Sequence, residues 1–444
     1  MALTWSTPAV WLTALVVLAS ASVTVRKTSQ GPTGYEVDFT YVNSSAQSVV
    51  IGGGIQTFTD QFHTSPQYSA GYNPQNYKPG DFFVNLFTAV SDVPWPYVME
   101  HTGNGTWTFT TPLPSGTYNY GFLVDCPLAN CTTTSEQYFF DPDNPPFVNI
   151  PGDQLASTFQ VPYDDEFQNY KAMDLNFDFA LPVSQDKQGT VKSVNYTSPG
   201  STSPAPDVHD FVLYLPAEYG TIQGKEYPVL YLSHGGGGNA QDWENLAKAS
   251  HILDNLIADG HIEPTVVVMP NFYHITSDDS LMPVPSAARE NYMEYLFPFV
   301  EATYAVSNSS SRRAFAGLSL GGILTYEMYI NATSYFDYFG IFSGALGPTA
   351  NASQYLNAEQ LAANPSLANK GVFVGFGLFD IAFDDCRLLQ AALDGLDIQH
   401  VSWVAPYGSH FWNTWQNALW LFGVTSMWKD LPFTPETGHA PNIY

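Results

Sequence analysis

The chain has 444 residues, 45% of them apolar, with 27 Tyr, 30 Phe and 10 Trp. That length is more than one small core organises, so two domains are expected. Lys and Arg total 14 against 41 Asp and Glu, a formal charge of -27, which argues against nucleic acid and anionic membranes as partners because both need basic patches.

In chain order, the first feature is an apolar run from Val10 to Leu18, followed by the small residues Ala19-Ser20-Ala21. The run is short for a bilayer span and the triplet fits a cleavage site, so residues 1-21 read as a signal peptide. Behind such a leader, the Asn-x-Ser/Thr sequons at Asn43, Asn104, Asn130, Asn195, Asn308, Asn331 and Asn351 predict a glycosylated, secreted, extracellular protein. In that oxidising compartment Cys126 and Cys131 can close a small disulfide loop, leaving Cys386 as a buried, inert thiol. No later stretch is apolar enough for stable membrane insertion.

Residues 31-165 read as an all-β domain. Runs such as Phe82 to Phe87, Thr106 to Phe109 and Thr117 to Val124 are rich in strand formers, and Gly, Pro, Asn and Asp punctuate them. That spacing predicts a β-sandwich. Ile51-Gly52-Gly53-Gly54-Ile55 reads as a turn, as does Asp141 to Pro145. From residue 166 to 433 the pattern becomes α/β. Strand candidates at 211–215, 229–232, 265–269, 338–342, 371–376 and 400–404 alternate with helices at 246–258, 287–302 and 384–396. The alternation predicts a mostly parallel, doubly wound sheet. The segment Ser198 to Pro206 is either a linker or part of an early hairpin of this domain. Residues 434-444 form a C-terminal tail.

Within the second domain, the strand Arg313 to Ala316 leads into Gly317-Leu318-Ser319-Leu320-Gly321-Gly322 and then an apolar helix start. Strand, Gly-x-Ser-x-Gly turn and helix make a nucleophile elbow, which exposes the Ser319 hydroxyl where a base can reach it. A serine hydroxyl needs such a base, and the base needs an orienting acid. In α/β-hydrolases these follow in the order Ser, Asp or Glu, His, each just past a strand. Here Asp380 follows the run ending at Phe376, and His410 follows the next strand in a Gly-Ser turn. Asp384 and Asp385 are rival acids, but they stand where a helix begins and suit capping.

For the oxyanion hole, one donor is the amide after the nucleophile, Leu320. The other comes from His234-Gly235-Gly236-Gly237-Gly238 after an earlier strand; spacing leaves Gly235 and Gly236 both open. Phe272, Phe383, Phe411, Trp412 and Trp415 are candidates for an aromatic acyl site, although core packing suits any one of them equally. The chain has no CxxC pair or HExxH motif, and its other histidines lack metal-ligand spacing, so neither a metal nor another cofactor is expected.

The stretch Tyr227 to Gly238 with Asp242-Trp243, the stretch Asp254 to Gly260, the Ser319 elbow, and Gly408-Ser409-His410-Phe411-Trp412-Asn413-Thr414-Trp415 together resemble the esterase D-like branch of α/β-hydrolases. Within it the chain looks most like the feruloyl and acetylxylan esterases of carbohydrate esterase family 1, over roughly residues 205 to 430. The preceding domain, with Gly105-Thr106-Trp107 and Asp141 to Pro145, resembles the immunoglobulin-like early-set domain often fused to them. The resemblance implies a serine carboxylesterase working through an acyl-enzyme on plant cell-wall esters. In it Ser319 is the nucleophile, His410 the base and Asp380 the acid, with Leu320 and Gly236 as oxyanion donors. It departs from the family's usual pattern at Ser409, before the histidine, and in Gly377-Leu378-Phe379 before the acid. Acyltransferases and siderophore-ester hydrolases share this branch and are the alternatives, with a non-catalytic carbohydrate-binding protein a more distant one. The implied partner is an ester substrate carried on polysaccharide; nothing in the sequence bears on oligomeric state.

Overall fold

The computed structural model describes residues 20–52, 58–59, 82–83, 98–126, 136–147, 156–168, 176–275, 285–347 and 349–434. The N-terminal strands are β1 (Ser20–Lys27), β2 (Tyr35–Val42), β3 (Val49–Gly52), β4 (Phe58–Thr59), β5 (Phe82–Phe83), β6 (Glu100–Gly103), β7 (Thr106–Pro112), β8 (Gly116–Val124), β9 (Tyr138–Phe139) and β10 (Ser157–Val161). Two antiparallel sheets, ordered β1-β2-β7-β6 and β10-β8-β3 with β9 on β8, make the sandwich; β4 and β5 pair separately. Alternation explains the layer: Val37, Phe39 and Tyr41 of β2 all enter a core shared with Ile51, Trp107, Tyr118, Tyr120 and Phe122. Phe39 meets Tyr120 and Phe159 edge-on at 5.8 and 5.6 Å, a favoured aromatic geometry.

Several sequence expectations shift here. The sandwich starts at Ser20 rather than residue 31, because β1 pairs along its whole length with β2, from Ser20↔Val42 to Lys27↔Tyr35. Ser20 and Ala21, assigned to the leader, are strand residues, and Ala21 is buried in the core. Cleavage after Ala21 would remove two residues of β1; residues 1–19 lie outside the described residues. Ile51 and Gly52 are strand rather than turn, since Ile51 pairs with Phe122; residues 53–55 lie outside the described residues, as do 84–87. The sandwich also runs past residue 165: the buried Gln168 side chain accepts from Ser115 N at 2.8 Å and donates to Thr33 O at 2.7 Å. Cys126 is disulfide-bonded, whereas Cys386 is free and buried; Cys131 lies outside the described residues.

The second unit is built on β11 (Thr190–Thr197), β12 (Val208–Leu215), β13 (Val229–Ser233), β14 (Val266–Pro270), β15 (Arg313–Leu318), β16 (Tyr338–Phe342), β17 (Gly371–Phe379) and β18 (Val401–Ser409). Their order is β11-β12-β14-β13-β15-β16-β17-β18. The pairs from β14 to β18 are parallel, and β11 and β12 are antiparallel at one edge. The segment 198–207 is the turn between β11 and β12, so it is a hairpin of this domain and no linker.

The strands are buried on both faces. In β13, Val229 and Tyr231 join one core, and Leu230 and Leu232 the other. Helices α1 (Asp242–Ala247), α2 (Ala249–Ala258) and α8 (Trp412–Thr425) cover one face. Helices α3 (Pro285–Asn291), α4 (Phe297–Thr303), α5 (Leu320–Asn331) and α7 (Phe383–Gly395) cover the other, with α6 (Ala358–Ala363) peripheral. This is the α/β-hydrolase arrangement. The helix expected at 246–258 is broken at Lys248, whose φ of 52° is left-handed. The one expected at 287–302 contains a π-turn over Tyr292–Leu296 just before Pro298, a residue without an N–H to offer a regular turn.

The sandwich seats on α1 and α8 through neutral polar groups. Gln416 of α8, 1% exposed, donates to Ala247 O at 2.7 Å and to Thr117 Oγ1 of β8 at 2.9 Å. Thr158 of β10 donates to Asn245 O at 2.5 Å, and Asn245 Oδ1 accepts from Phe147 N at 2.7 Å.

Candidate active site

The C-terminal ends of β13, β15, β16, β17 and β18 form one edge, where loops in α/β folds gather functional groups. Ser319 joins β15 to α5 with φ 53° and ψ -117°, a strained conformation for a residue with a Cβ, worth about 1–3 kcal/mol. The turn is tight enough to require its glycines. A Cβ on Gly317 would stand 2.5 Å from the Gly321 carbonyl oxygen, and one on Gly321 would stand 2.3 Å from that of His234. Ser319 N donates to Phe342 O at 2.8 Å, tying the elbow to β16.

His410 follows β18 and is 4% exposed. Its Nδ1 donates to Asp380 Oδ1 at 2.7 Å, and its Nε2 accepts from Ser319 Oγ at 2.9 Å. With Nδ1–H committed to a carboxylate, the ring presents a lone pair at Nε2 to the hydroxyl. Asp380, after β17, is buried. Burial alone would raise its pKa, but hydrogen bonds from His410, Ser343 and the Ala382 amide outweigh burial and hold it below the ordinary carboxylate value. The distances are 2.6 Å from Ser343 Oγ and 2.8 Å from Ala382 N.

The neighbouring acids are placed differently. Asp384 is exposed. Asp385 is buried and turned onto the loop after β16, where it accepts from Ala345 N at 2.6 Å and from Leu346 N and Gly347 N at 3.1 Å. It clamps the backbone of that loop.

The glycine loop after β13 lies against the elbow: a Cβ on Gly235 would be 3.2 Å from Ser319 Cβ. The Gly235 carbonyl accepts from His234 Nδ1 at 2.8 Å. In a trans peptide the Gly236 N–H then points the opposite way, away from His234. Leu320 is the first residue of α5, where the helix supplies its amide with no acceptor. His234 is 1% exposed and stacks on Phe272 at 4.0 Å. Burial pushes its pKa down to about 4, so the ring is neutral at neutral pH. Tyr273 Oη accepts from Gly237 N at 2.9 Å and closes the far side of the loop.

The proposed acyl-site aromatics mostly have other duties. Phe272 belongs to the core beneath His234. Trp415 is 6% exposed, lies edge-on to the His410 ring at 5.0 Å, and donates from Nε1 to Ser343 Oγ at 2.9 Å. Trp412 packs edge-on to Trp243 and Trp415, and Phe383 packs on Phe376. Phe411 is half-buried beside His410. Large aromatics next to buried strands are drawn into cores by their area, which corrects the assignment of Phe272 and Trp415 to a substrate wall. The open apolar surface here comes instead from Leu378 and Ile381, which flank Asp380 at 44% and 54% exposure.

Sequence reasoning passed over Ser343 and Tyr273, and it read Asp385 as a helix cap rather than as a clamp on the loop after β16. Ser343 and Tyr273 lie just past β16 and β14, so position at the strand ends was the available signal. Of the sequons, Asn104, Asn195, Asn308, Asn331 and Asn351 are exposed and Asn43 is half-buried; Asn130 lies outside the described residues. Among the described residues no helix is long and apolar enough to cross a membrane, and no cluster of three His, Cys, Asp or Glu side chains is placed to hold a metal.

A family model described as "Putative esterase" matches residues 206–429. An endo-1,4-beta-xylanase/feruloyl esterase of Xylanibacter ruminicola is 31% identical over 256 residues, covering 56% of this chain and 31% of that protein. Endo-1,4-beta-xylanase Y of Acetivibrio thermocellus is 30% identical over 227 residues, covering 45% and 20%. The match thus spans a third or less of these relatives' length. Among solved structures, the feruloyl esterase module from Clostridium thermocellum complexed with sinapinate aligns with a TM-score of 0.46 and 25% identity, over 55% of this chain and 89% of that one.

Proposed function

The chain belongs to the esterase family matched over residues 206–429, and on that premise we propose that it is a secreted, glycosylated serine carboxylesterase acting on hydroxycinnamoyl esters of plant cell-wall polysaccharide. The observation that carries this reading is the unbroken hydrogen-bonded run from Ser319 through His410 to Asp380 at a strained elbow. The name feruloyl esterase on a relative sharing 31% identity supports the substrate class.

In this reading His410 Nε2 takes the Ser319 proton as Oγ attacks the ester carbonyl. The oxyanion turns toward the Leu320 and Gly236 amides, each donor contributing roughly 3 kcal/mol to the transition state. Collapse releases the alcohol, which takes the proton from His410, and leaves an acyl-enzyme. Water then gives a proton to His410 and attacks the acyl carbon, releasing the acid and restoring Ser319. Asp380, held ionised, keeps the ring oriented and offsets its charge in both steps.

The test is the purified chain with methyl hydroxycinnamates, acetylated xylan and short-acyl nitrophenyl esters, alongside a fluorophosphonate probe. Labelling at Ser319 with preferred turnover of hydroxycinnamates is expected. Labelling with transfer to added sugar or alcohol would replace hydrolysis by acyl transfer. An unlabelled Ser319 would leave the carbohydrate-binding alternative.

A further inference from the structure

The hydrogen bonds behind Asp380 have a direction. An indole N–H can only donate, and a serine hydroxyl carries one proton. Trp415 Nε1 lies 2.9 Å from Ser343 Oγ, so Ser343 accepts there and its own proton is left for Asp380 Oδ2 at 2.6 Å. Oδ1 meanwhile accepts from His410 Nδ1 and Ala382 N. Both carboxylate oxygens are therefore tied, and the carboxylate cannot pivot about its Cβ–Cγ bond.

We propose that Ser343 is a positioning residue for the His410–Asp380 pair, its hydroxyl aimed by the Trp415 indole so that Asp380 stays in line with His410 Nδ1. The assignment rests on the serine-esterase reading above for its kinetic consequence only. Ser343 is 1% exposed and held at φ 52°, a left-handed conformation that favours glycine. A serine kept where glycine would sit more easily indicates that the hydroxyl is used. Its backbone is fixed independently, Ser343 N donating to Gly375 O at 2.9 Å. Among the described residues, the titratable groups near Asp380 are His410 on the loop after β18 and, on α7, Asp385 and the buried Cys386 thiol. Neither α7 group hydrogen-bonds to the Asp380 carboxylate.

The test uses the full chain with Ser343→Ala, Ser343→Gly and Trp415→Phe, each checked for folding by thermal melting. Losing one donor to a charged group should lower kcat about tenfold to a hundredfold in both Ser343 variants, with KM nearly unchanged. Trp415→Phe keeps an aromatic ring against His410 and should fall less, about threefold to tenfold. Because the Ser343 bond helps hold Asp380 below its ordinary value, the acidic limb of kcat/KM should move to higher pH in both Ser343 variants. A purely backbone role predicts instead that Ser343→Gly is as active as the unsubstituted chain, and that result overturns the proposal. The downfield proton resonance of His410 Nδ1–H reads the same bond without turnover. It should shift in both Ser343 variants, and an unchanged resonance overturns the proposal even in a chain that hydrolyses nothing. Absent labelling and turnover in the unsubstituted chain would instead count against the esterase reading.

Discussion

Trp415 and Gln416 are neighbours on α8, yet they enter two different buried polar networks. Trp415 ends the run through Ser343, Asp380 and His410 to Ser319. Gln416 joins the seam with the sandwich, bonding Ala247 O and Thr117 Oγ1. Both networks are withdrawn from water and both satisfy their members. The first includes an imidazole and a carboxylate, groups that can exchange or stabilise a proton, and it ends on a strained hydroxyl. The second is made of amides, hydroxyls and backbone carbonyls, with the His251 ring attached to it through Gln160, and among the described residues it reaches no strained hydroxyl. Burial and satisfaction alone therefore do not mark a reactive site; a change of protonation state within reach of a strained hydroxyl does.

The contrast can be broken at either network. The largest effect expected is from Ser319→Ala, which should cut ester turnover on the order of a millionfold while the melting temperature is kept; measurable turnover in that variant removes the assignment. Asp380→Asn keeps the shape but offers an amide where His410 needs a carboxylate, and should cost about ten-thousandfold in kcat. If Asp385→Asn cost more in kcat than Asp380→Asn, the acid would have been assigned to the wrong residue.

The next effect is on stability. His234 is charged in the unfolded chain below about pH 6.5 but stays neutral in the folded one down to about 4. The unfolded state then binds the extra proton, so stability is full above about pH 6.5 and falls as pH drops toward 4, by roughly 3 kcal/mol. Denaturant melts between pH 7 and 4 measure this, and a flat profile would mean the ring is not buried as described. The smallest effect belongs to the seam. Gln416→Ala should destabilise by about 1–3 kcal/mol through the unpaired Ala247 carbonyl, with kcat per folded molecule within about twofold of the original. A large loss of kcat would merge the two networks into one.

The elbow was legible because its grammar is local: a strand buried on both faces, glycines at fixed offsets and an apolar helix start. The same locality revealed Asp380 and His410, each a few residues past a strand. β1 was obscured because Ser20 and Ala21 also fit the end of a leader, and their pairing is with β2, a strand further along the chain. Lys248 carries no sign of the break it makes between α1 and α2. The aromatics around His410 could be counted in the sequence but not faced, since neighbouring positions at a strand end or helix start turn toward different layers. Ser343 was invisible for a stronger reason. Its partners, Asp380 and Trp415, lie 37 and 72 positions away, and no spacing rule links them.

Cys386 lies at the start of α7, fully enclosed, with burial pushing its thiol well above the ordinary value. Cys126 is already oxidised, so among the described residues Cys386 is the one thiol that alkylation can report, and it reports from behind the acid loop. The rate at which a small electrophile reaches that sulfur would time the opening of this half of the core without any substrate.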